Sequence, residues 1–296
     1  MRKFFIWFFV ILLFTACGQN VGMPSSAPAA SSQTIVSIGP AITEILVMLG
    51  FGDRIIAKDT ESVGIDGVAE DIPLIDMMSV DAELLLTLQP DLIFATDMII
   101  IGGVDPLALL AETGTRVIYI PVSDSIAGIK NDIEFIAYVM HHNSGAGEMA
   151  GRMAVEVLEH GITRLRHFIG AEERTEKRTV YFEVYSAPLI TVGSGAFLSE
   201  LLDVIGAINV FADYDGWIVV SDEQVFARDP DVILTNSPGM DDPVGEMLAR
   251  PGWSELTAVR EGRVFAIDAD ASSRPSHNII DALWEMAEAV YPEYFE

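Results

Sequence analysis

Short apolar runs alternate along this chain with segments whose apolar positions recur every three or four residues. In the first half, the runs predict strands over 34–38, 54–57, 91–95 and 116–120. The helical spacings predict helices over 41–49, 81–88 and 105–112, and Gly50 stands where the first should stop. The middle is different. From residue 125 to about 169 no strand pattern occurs. Ile126, Ile129, Ile133, Ile136 and Val139 follow one another at helical spacing. Asn143-Ser144-Gly145 breaks that run, and Met149, Met153, Val157 and Ile162 continue beyond it as expected packing positions. Alternation then resumes, with strands predicted over 179–184, 231–235 and 263–267. Helices are predicted over 197–205, 222–227, 243–248 and 276–290, the last with Pro275 at its start.

The two halves repeat one another. Glu44-Ile-Leu-Val-Met-Leu-Gly50 parallels Glu200-Leu-Leu-Asp-Val-Ile-Gly206. Glu83, Pro90 and Asp91 keep the same spacing as Glu223, Pro230 and Asp231, and Gly114-Thr-Arg-Val-Ile has a weaker counterpart in Gly262-Arg-Val-Phe. The order of elements is also the same. The expected architecture is α/β: two similar lobes with central sheets, joined by a long helical bridge, with a cleft between them where a ligand would sit. The corresponding boundaries are 34–124, 125–177 and 178–296.

The amino terminus changes the picture. Arg2 and Lys3 precede eleven apolar residues, Phe4 to Phe14, and then Thr15-Ala16-Cys17. This is the order of a secretory signal over 1–16, too short for the ~20 residues of a membrane span. The segment around Cys17 resembles the bacterial lipoprotein cleavage box, with Phe14 where Leu is more usual. Cys17 is the only cysteine in the chain, and lipidation gives it a role that no disulfide can. Residues 17–33 lack charge and are rich in Ser, Ala, Gly and Pro, as a flexible tether would be. The formal charge is −27, and loss of Arg2 and Lys3 with the signal would make it −29. Such a chain repels nucleic acid. At 50% hydrophobic content it is expected to fold as a globular body.

Four segments carry a family resemblance. Ile35-Val-Ser-Ile-Gly-Pro-Ala-Ile-Thr-Glu-Ile-Leu46 resembles the opening strand and helix of the substrate-binding proteins of iron-siderophore, haem and cobalamin ABC importers. Glu83 to Ile93, Ser221 to Asp231 with Gly252 to Ile267, and Arg274 to Pro292 are similar to later segments of that family, in the same order. The resemblance implies two α/β lobes bridged by one long helix. The break at residues 143–147 places that helix after it, and a rigid bridge implies little hinge motion. It also implies an importer permease and its ATPase as partners, a monomer held to the membrane by its lipid, and no intrinsic cofactor.

Site residues follow in two groups. Glu83 and Glu223, one per lobe, are similar in position to the glutamates with which this family docks on permease arginines. Both also suit the first turn of a helix, where a carboxylate is favourable. In the cleft, loops after strand ends offer Ser37, Gly39, Pro40, Asp97 and Met98 from the first lobe. The second offers Tyr185, Trp217, Asp270 and Arg274. Trp217 and the pair Asp270 and Arg274 resemble positions of cobalamin-binding members. An aromatic face suits a macrocycle or catecholate, and arginine suits a carboxylate. Arg274 could equally be spent on an internal ion pair with Asp270 or another acid.

Of the histidines, His141 and His142 point apart, His160 and His167 stand seven residues apart, and His277 follows Pro275. None has the spacing of a zinc site, and no metal site is expected. Gly193-Ser194-Gly195 is not a nucleophile elbow, and no phosphate-binding glycine motif occurs. An enzyme is therefore not expected. The expected ligand is an iron chelate or a corrinoid. A haem-binding or free-metal-binding transport lipoprotein is the alternative reading, and a secreted hydrolase a remote one.

Overall fold

The computed structural model describes residues 33–237 and 239–296. The expected signal segment and Cys17 lie outside the described residues.

The first lobe runs β1 (Ile35–Ile38), α1 (Pro40–Met48), β2 (Ile55–Asp59), β3 (Leu74–Ile75), α2 (Ala82–Leu88), β4 (Leu92–Thr96), α3 (Ala108–Glu112) and β5 (Arg116–Ile120). Its sheet has the order β3-β2-β1-β4-β5, with every pairing parallel. All residues of β1 and β4 are buried. Strands covered on both faces need no polar alternation, which is why these read as plain apolar runs. The helix predicted from residue 105 begins later, because Asp105 turns back on the chain. Its carboxylate accepts from the Leu107 N–H at 2.8 Å and from the Tyr119 hydroxyl.

Two helices follow, α4 (Ile126–Met140) and α5 (Gly145–Phe168). His142 and Asn143, both left-handed with φ of 58° and 55°, reverse the chain between them. Helix α5 is the long one, about 36 Å at 1.5 Å per residue. It presses on α4 through Gly147 and Gly151, where a Cβ would come within 2.7 Å of the Ala137 carbonyl and 2.8 Å of Glu134 Cα. The apolar side expected to pack on α5 is not the buried one. Met149, Met153 and Val157 are 59%, 60% and 72% exposed, and Val155, Leu158 and Leu165 are buried instead. Small residues let the backbones approach, so the glycine face wins the interface.

The second lobe runs β6 (Thr179–Ser186), β7 (Leu189–Val192), α6 (Phe197–Val204), β8 (Ile208–Asn209), β9 (Trp217–Val219), α7 (Asp222–Arg228), β10 (Val232–Thr235), α8 (Pro243–Ala249), α9 (Thr257–Arg260), β11 (Val264–Ala266), α10 (Ala269–Ser273) and α11 (Ile279–Val290). Strands β11, β10, β6 and β8 are parallel neighbours and repeat β5, β4, β1 and β2. Antiparallel β7 and β9 are additions beside the end of β6.

The repetition extends to single hydrogen bonds. Thr34 donates its backbone N–H and hydroxyl to Asp91 at 2.9 and 3.0 Å, and its hydroxyl accepts from the Asp91 N–H. Thr179 and Asp231 make the same three bonds at the start of β6. Each lobe thus pins its first strand to a sheet neighbour, β4 or β10, by one threonine–aspartate pair.

One apolar core runs through both lobes and the bridge, from Ile35 and Leu46 through Ile133 and Leu158 to Phe182, Leu201 and Leu283. Prising the lobes apart would expose it at roughly 25 cal/mol per Å² of apolar surface. That opposes a wide hinge opening.

Candidate functional site

The carboxyl ends of the first-lobe strands point toward the second lobe, and the site is built there. After β1 the chain turns at Gly39, whose φ of 145° disfavours any side chain. A buried polar cluster holds this turn. Asp59, fully buried at the end of β2, accepts from the Gly39 N–H at 2.8 Å and the Ser62 hydroxyl at 2.6 Å. The Ser62 hydroxyl also lies 3.0 Å from that of Thr43, which bonds Ser37 at 2.7 Å.

Above the turn lies a cavity of about 180 Å³. Its wall is largely apolar, with Pro40, Ile42, Met98, Ile120, Val122 and Ile136 prominent. The polar groups are few: Thr96, Ser123 and Asp132 from the first lobe and α4, and Ser273 and Arg274 from the second. Apolar walls with a few convergent polar groups are the usual form of a small-molecule site.

Of the nine candidate ligand residues, Gly39, Pro40, Met98 and Arg274 line this cavity. Ser37 stands behind the wall, fully buried, with its hydroxyl used by Thr43. Asp97 is exposed beside Met98 at the end of β4. Tyr185 and Trp217 stand outside the cavity, 48% and 60% exposed, on one face of the β6-β7-β9 sheet. Tyr185 and Val219 both pair with Ile190, and Trp217 pairs with Val192. Paired residues point the same way, so the two aromatics share an accessible apolar surface.

Arg274 is already paired. Its guanidinium reaches Glu44 at 3.2 Å, Asp270 at 2.9 Å and the Glu61 carbonyl at 2.7 Å. Glu44 belongs to α1, so this arginine ties the two lobes. The Ser276 hydroxyl donates to the same carboxylate. Burial nevertheless raises the Glu44 pKa, with Ser276 and Arg274 opposing.

Sequence reasoning overlooked Ser123 and Asp132. The loop after β5 obeys the same strand-end rule as the others and could have supplied Ser123. Asp132 gave only a faint signal, a carboxylate one turn before Ile136 on a mostly apolar helix. It accepts from Ser123 Oγ at 2.6 Å, and burial raises its pKa.

Glu83 and Glu223 are exposed, each the second residue of its helix. Both helix starts are fixed. Asp81 accepts from the Leu84 N–H at 2.9 Å, and Ser221 with Gln224 forms a capping box. Hydrogen bonding from the Ser221 hydroxyl and then from its own backbone N–H lowers the Glu223 pKa. Both helices end on a left-handed residue, Gln89 and Asp229. The two glutamates are thus structural equivalents.

Among the described residues, no group of three or more His, Cys, Asp or Glu side chains could hold a metal ion. His141 stacks edge-on against Phe51, and burial lowers the pKa of His277. No helix among them is long and apolar enough to cross a membrane.

A family profile described as periplasmic binding protein matches residues 35–271. The chain is a periplasmic binding protein. Among its relatives, the ABC transporter substrate-binding lipoprotein YvrC of Bacillus subtilis is 29% identical over 263 residues, 88% of this chain and 81% of that one. The vitamin B12-binding protein of Vibrio cholerae is 29% identical over 255 residues, 85% and 87% of the two chains. A solved structure of a possible iron-binding periplasmic solute-binding protein from Staphylococcus epidermidis has a TM-score of 0.77 and 27% identity, covering 88% and 98%. This periplasmic binding protein thus keeps the family's two-lobed plan, with its cavity where the lobes meet.

Proposed function

We propose that this chain is the extracytoplasmic solute-binding component of an ABC importer, and that it delivers a corrinoid or an iron chelate to the permease. The observation that carries this reading is the cavity itself, walled by the strand ends of one lobe and closed by Ser273–Pro275 of the other. It is about 180 Å³, too small to enclose a corrinoid. In this reading it takes one edge of the ligand, and the exposed aromatics Tyr185 and Trp217 cover a flat face. Pro40 and Met98 supply apolar contact, Asp97 and Asp270 border the entrance, and Ser37 braces the wall. Arg274 holds the lobes in register. The relatives support both ligand classes, since one is a vitamin B12-binding protein and one a possible iron-binding protein.

In the same reading Glu83 and Glu223 grip the permease symmetrically, and the ATPase drives release. Ion pairs at such a rim set orientation and on-rate more than affinity. Cys17 carries the lipid, the chain acts as a monomer, and it has no catalytic role. The test is thermal stabilisation of residues 33–296 by cobalamins, ferric siderophores and haemin. A ligand at 100 times its Kd adds about 2.7 kcal/mol. A shift with a cobalamin or ferric siderophore, weakened by Trp217→Ala, supports the reading. A shift with haemin alone refutes its ligand class.

A further inference from the structure

The cavity holds one guanidinium, and it is already spent. Arg274 is shared between the carboxylates of Glu44 and Asp270 and the carbonyl of Glu61. The cavity wall adds Asp132, half-buried on α4, whose pKa is influenced only by burial and by Ser123. One carboxylate, Asp132, therefore lines the cavity beside a guanidinium that two other carboxylates already share. Lys130, two residues before Asp132, is drawn away to Glu159 at 2.7 Å. The chain as a whole carries −27 and supplies no opposing field.

We infer that Asp132, with Ser123, is a specificity determinant: it accepts a hydrogen bond from an N–H or O–H edge, or a cationic group, of the bound solute, and excludes solutes that present carboxylates or other anions there. The inference rests on the reading of this cavity as the solute site. Ser123 occupies one oxygen of Asp132 and leaves the other for the ligand. In an otherwise apolar wall, a donor at that oxygen forms a charge-assisted bond, and an anion meets like charge beside an arginine whose charge Glu44 and Asp270 already balance. The side-chain amides of an intact corrinoid fit this rule. So does a neutral or cationic ferric hydroxamate. Hydrolysed corrinoids and ferric tris-catecholates do not.

The experiment uses the protein from residue 33 onward and two matched pairs. One pair is cyanocobalamin and a cyanocobalamin whose side-chain amides are hydrolysed to carboxylates. The other is ferrioxamine B and the trianionic ferric enterobactin. Affinities are measured by titration calorimetry for the intact chain, Asp132→Asn and Ser123→Ala. The intact chain should prefer the less anionic member of whichever pair binds by about tenfold or more, the range of a charge-assisted hydrogen bond. Asp132→Asn should narrow that preference by a similar factor, chiefly by improving the anionic member. Ser123→Ala, which frees the second oxygen, should widen it. Equal affinity within the pair, preference for the anion, or a preference that Asp132→Asn leaves intact overturns this inference alone. If no member of either pair binds, the reading of the cavity as the site for these solutes falls, and the inference with it. Melting curves of each variant separate a folding defect from a change of selectivity.

Discussion

Glu44 and Glu200 occupy matching positions in α1 and α6, and each sends its carboxylate to the segment that leads into a helix beyond the other half's last strand. Glu44 accepts from Ser276 and Arg274 ahead of α11, and Glu200 accepts from the Ile126 N–H of α4 at 2.8 Å. The two halves are thereby cross-tied by an internal repeat that was visible in the sequence only as Glu-x5-Gly.

The ties are unequal, and their removal should show it. Glu44→Ala leaves Arg274 largely buried, with Asp270 as its remaining carboxylate. Breaking such a pair costs about 3 kcal/mol. Glu200→Ala removes only a helix-start acceptor, worth about 1 kcal/mol. Urea unfolding of both variants checks the order. An equal loss would mean that the Glu44 pair contributes nothing beyond its cap-like bonds.

Charge reversal at Glu83 and Glu223 separates binding from transport. Both side chains are exposed, so Glu83→Arg with Glu223→Arg should change stability by no more than about 0.5 kcal/mol per site. Ligand affinity should also be unchanged. Uptake by whole cells should collapse, and normal uptake would remove these residues from the docking role.

The contact of α4 with α5 depends on missing side chains. Gly151→Ala would place a Cβ 2.8 Å from Glu134 Cα, a backbone atom that cannot swing aside. Overpacking of this kind costs about 1–3 kcal/mol. Met153→Ala, on the exposed side of the same helix, should cost far less. Thermal melts of the pair test which face of α5 carries the interface.

Stability should rise on mild acidification. Glu44, Asp132, Glu183 and Asp203 all have pKas raised chiefly by burial. The folded chain therefore takes up their protons before the unfolded chain, whose groups titrate near 4.5 for Glu and 3.8 for Asp. Folding is favoured as pH falls from neutral through that window. His277 opposes this, since burial lowers it below 6.5 and the unfolded chain gains that proton first. Glu223 and Asp229 are lowered by hydrogen bonds, so their contribution is lost only at still lower pH. Urea midpoints should be higher at about pH 5 than at about pH 7 and fall again below about pH 4. Asp132→Asn should shrink the rise. A midpoint that falls steadily from neutral would show that His277 outweighs the four acids.

Some of the site was legible in the chain because its signals are local. Strand-end loops gave Pro40 and Met98 of the cavity wall, and the repeat gave the matching placement of Glu83 and Glu223, whose docking role only the resemblance implies. Arg274 was found by resemblance, yet its engagement depended on Glu44, 230 residues away. Strands β7 and β9 escaped notice because four and three residues show too little alternation. Trp217 was recognised, but not the sheet face that it shares with Tyr185.

The sequence by itself determined the α/β alternation, the two-fold repetition and the helical bridge, because periodicity and spacing are properties of neighbouring residues, and its motif segments carried the family resemblance. Tertiary structure alone decided which face of α5 is buried, which carboxylates neutralise Arg274, and that Asp132 meets the cavity. Those outcomes depend on backbone approach and on the competition among 44 acidic residues for few cations, and neither is written in local order.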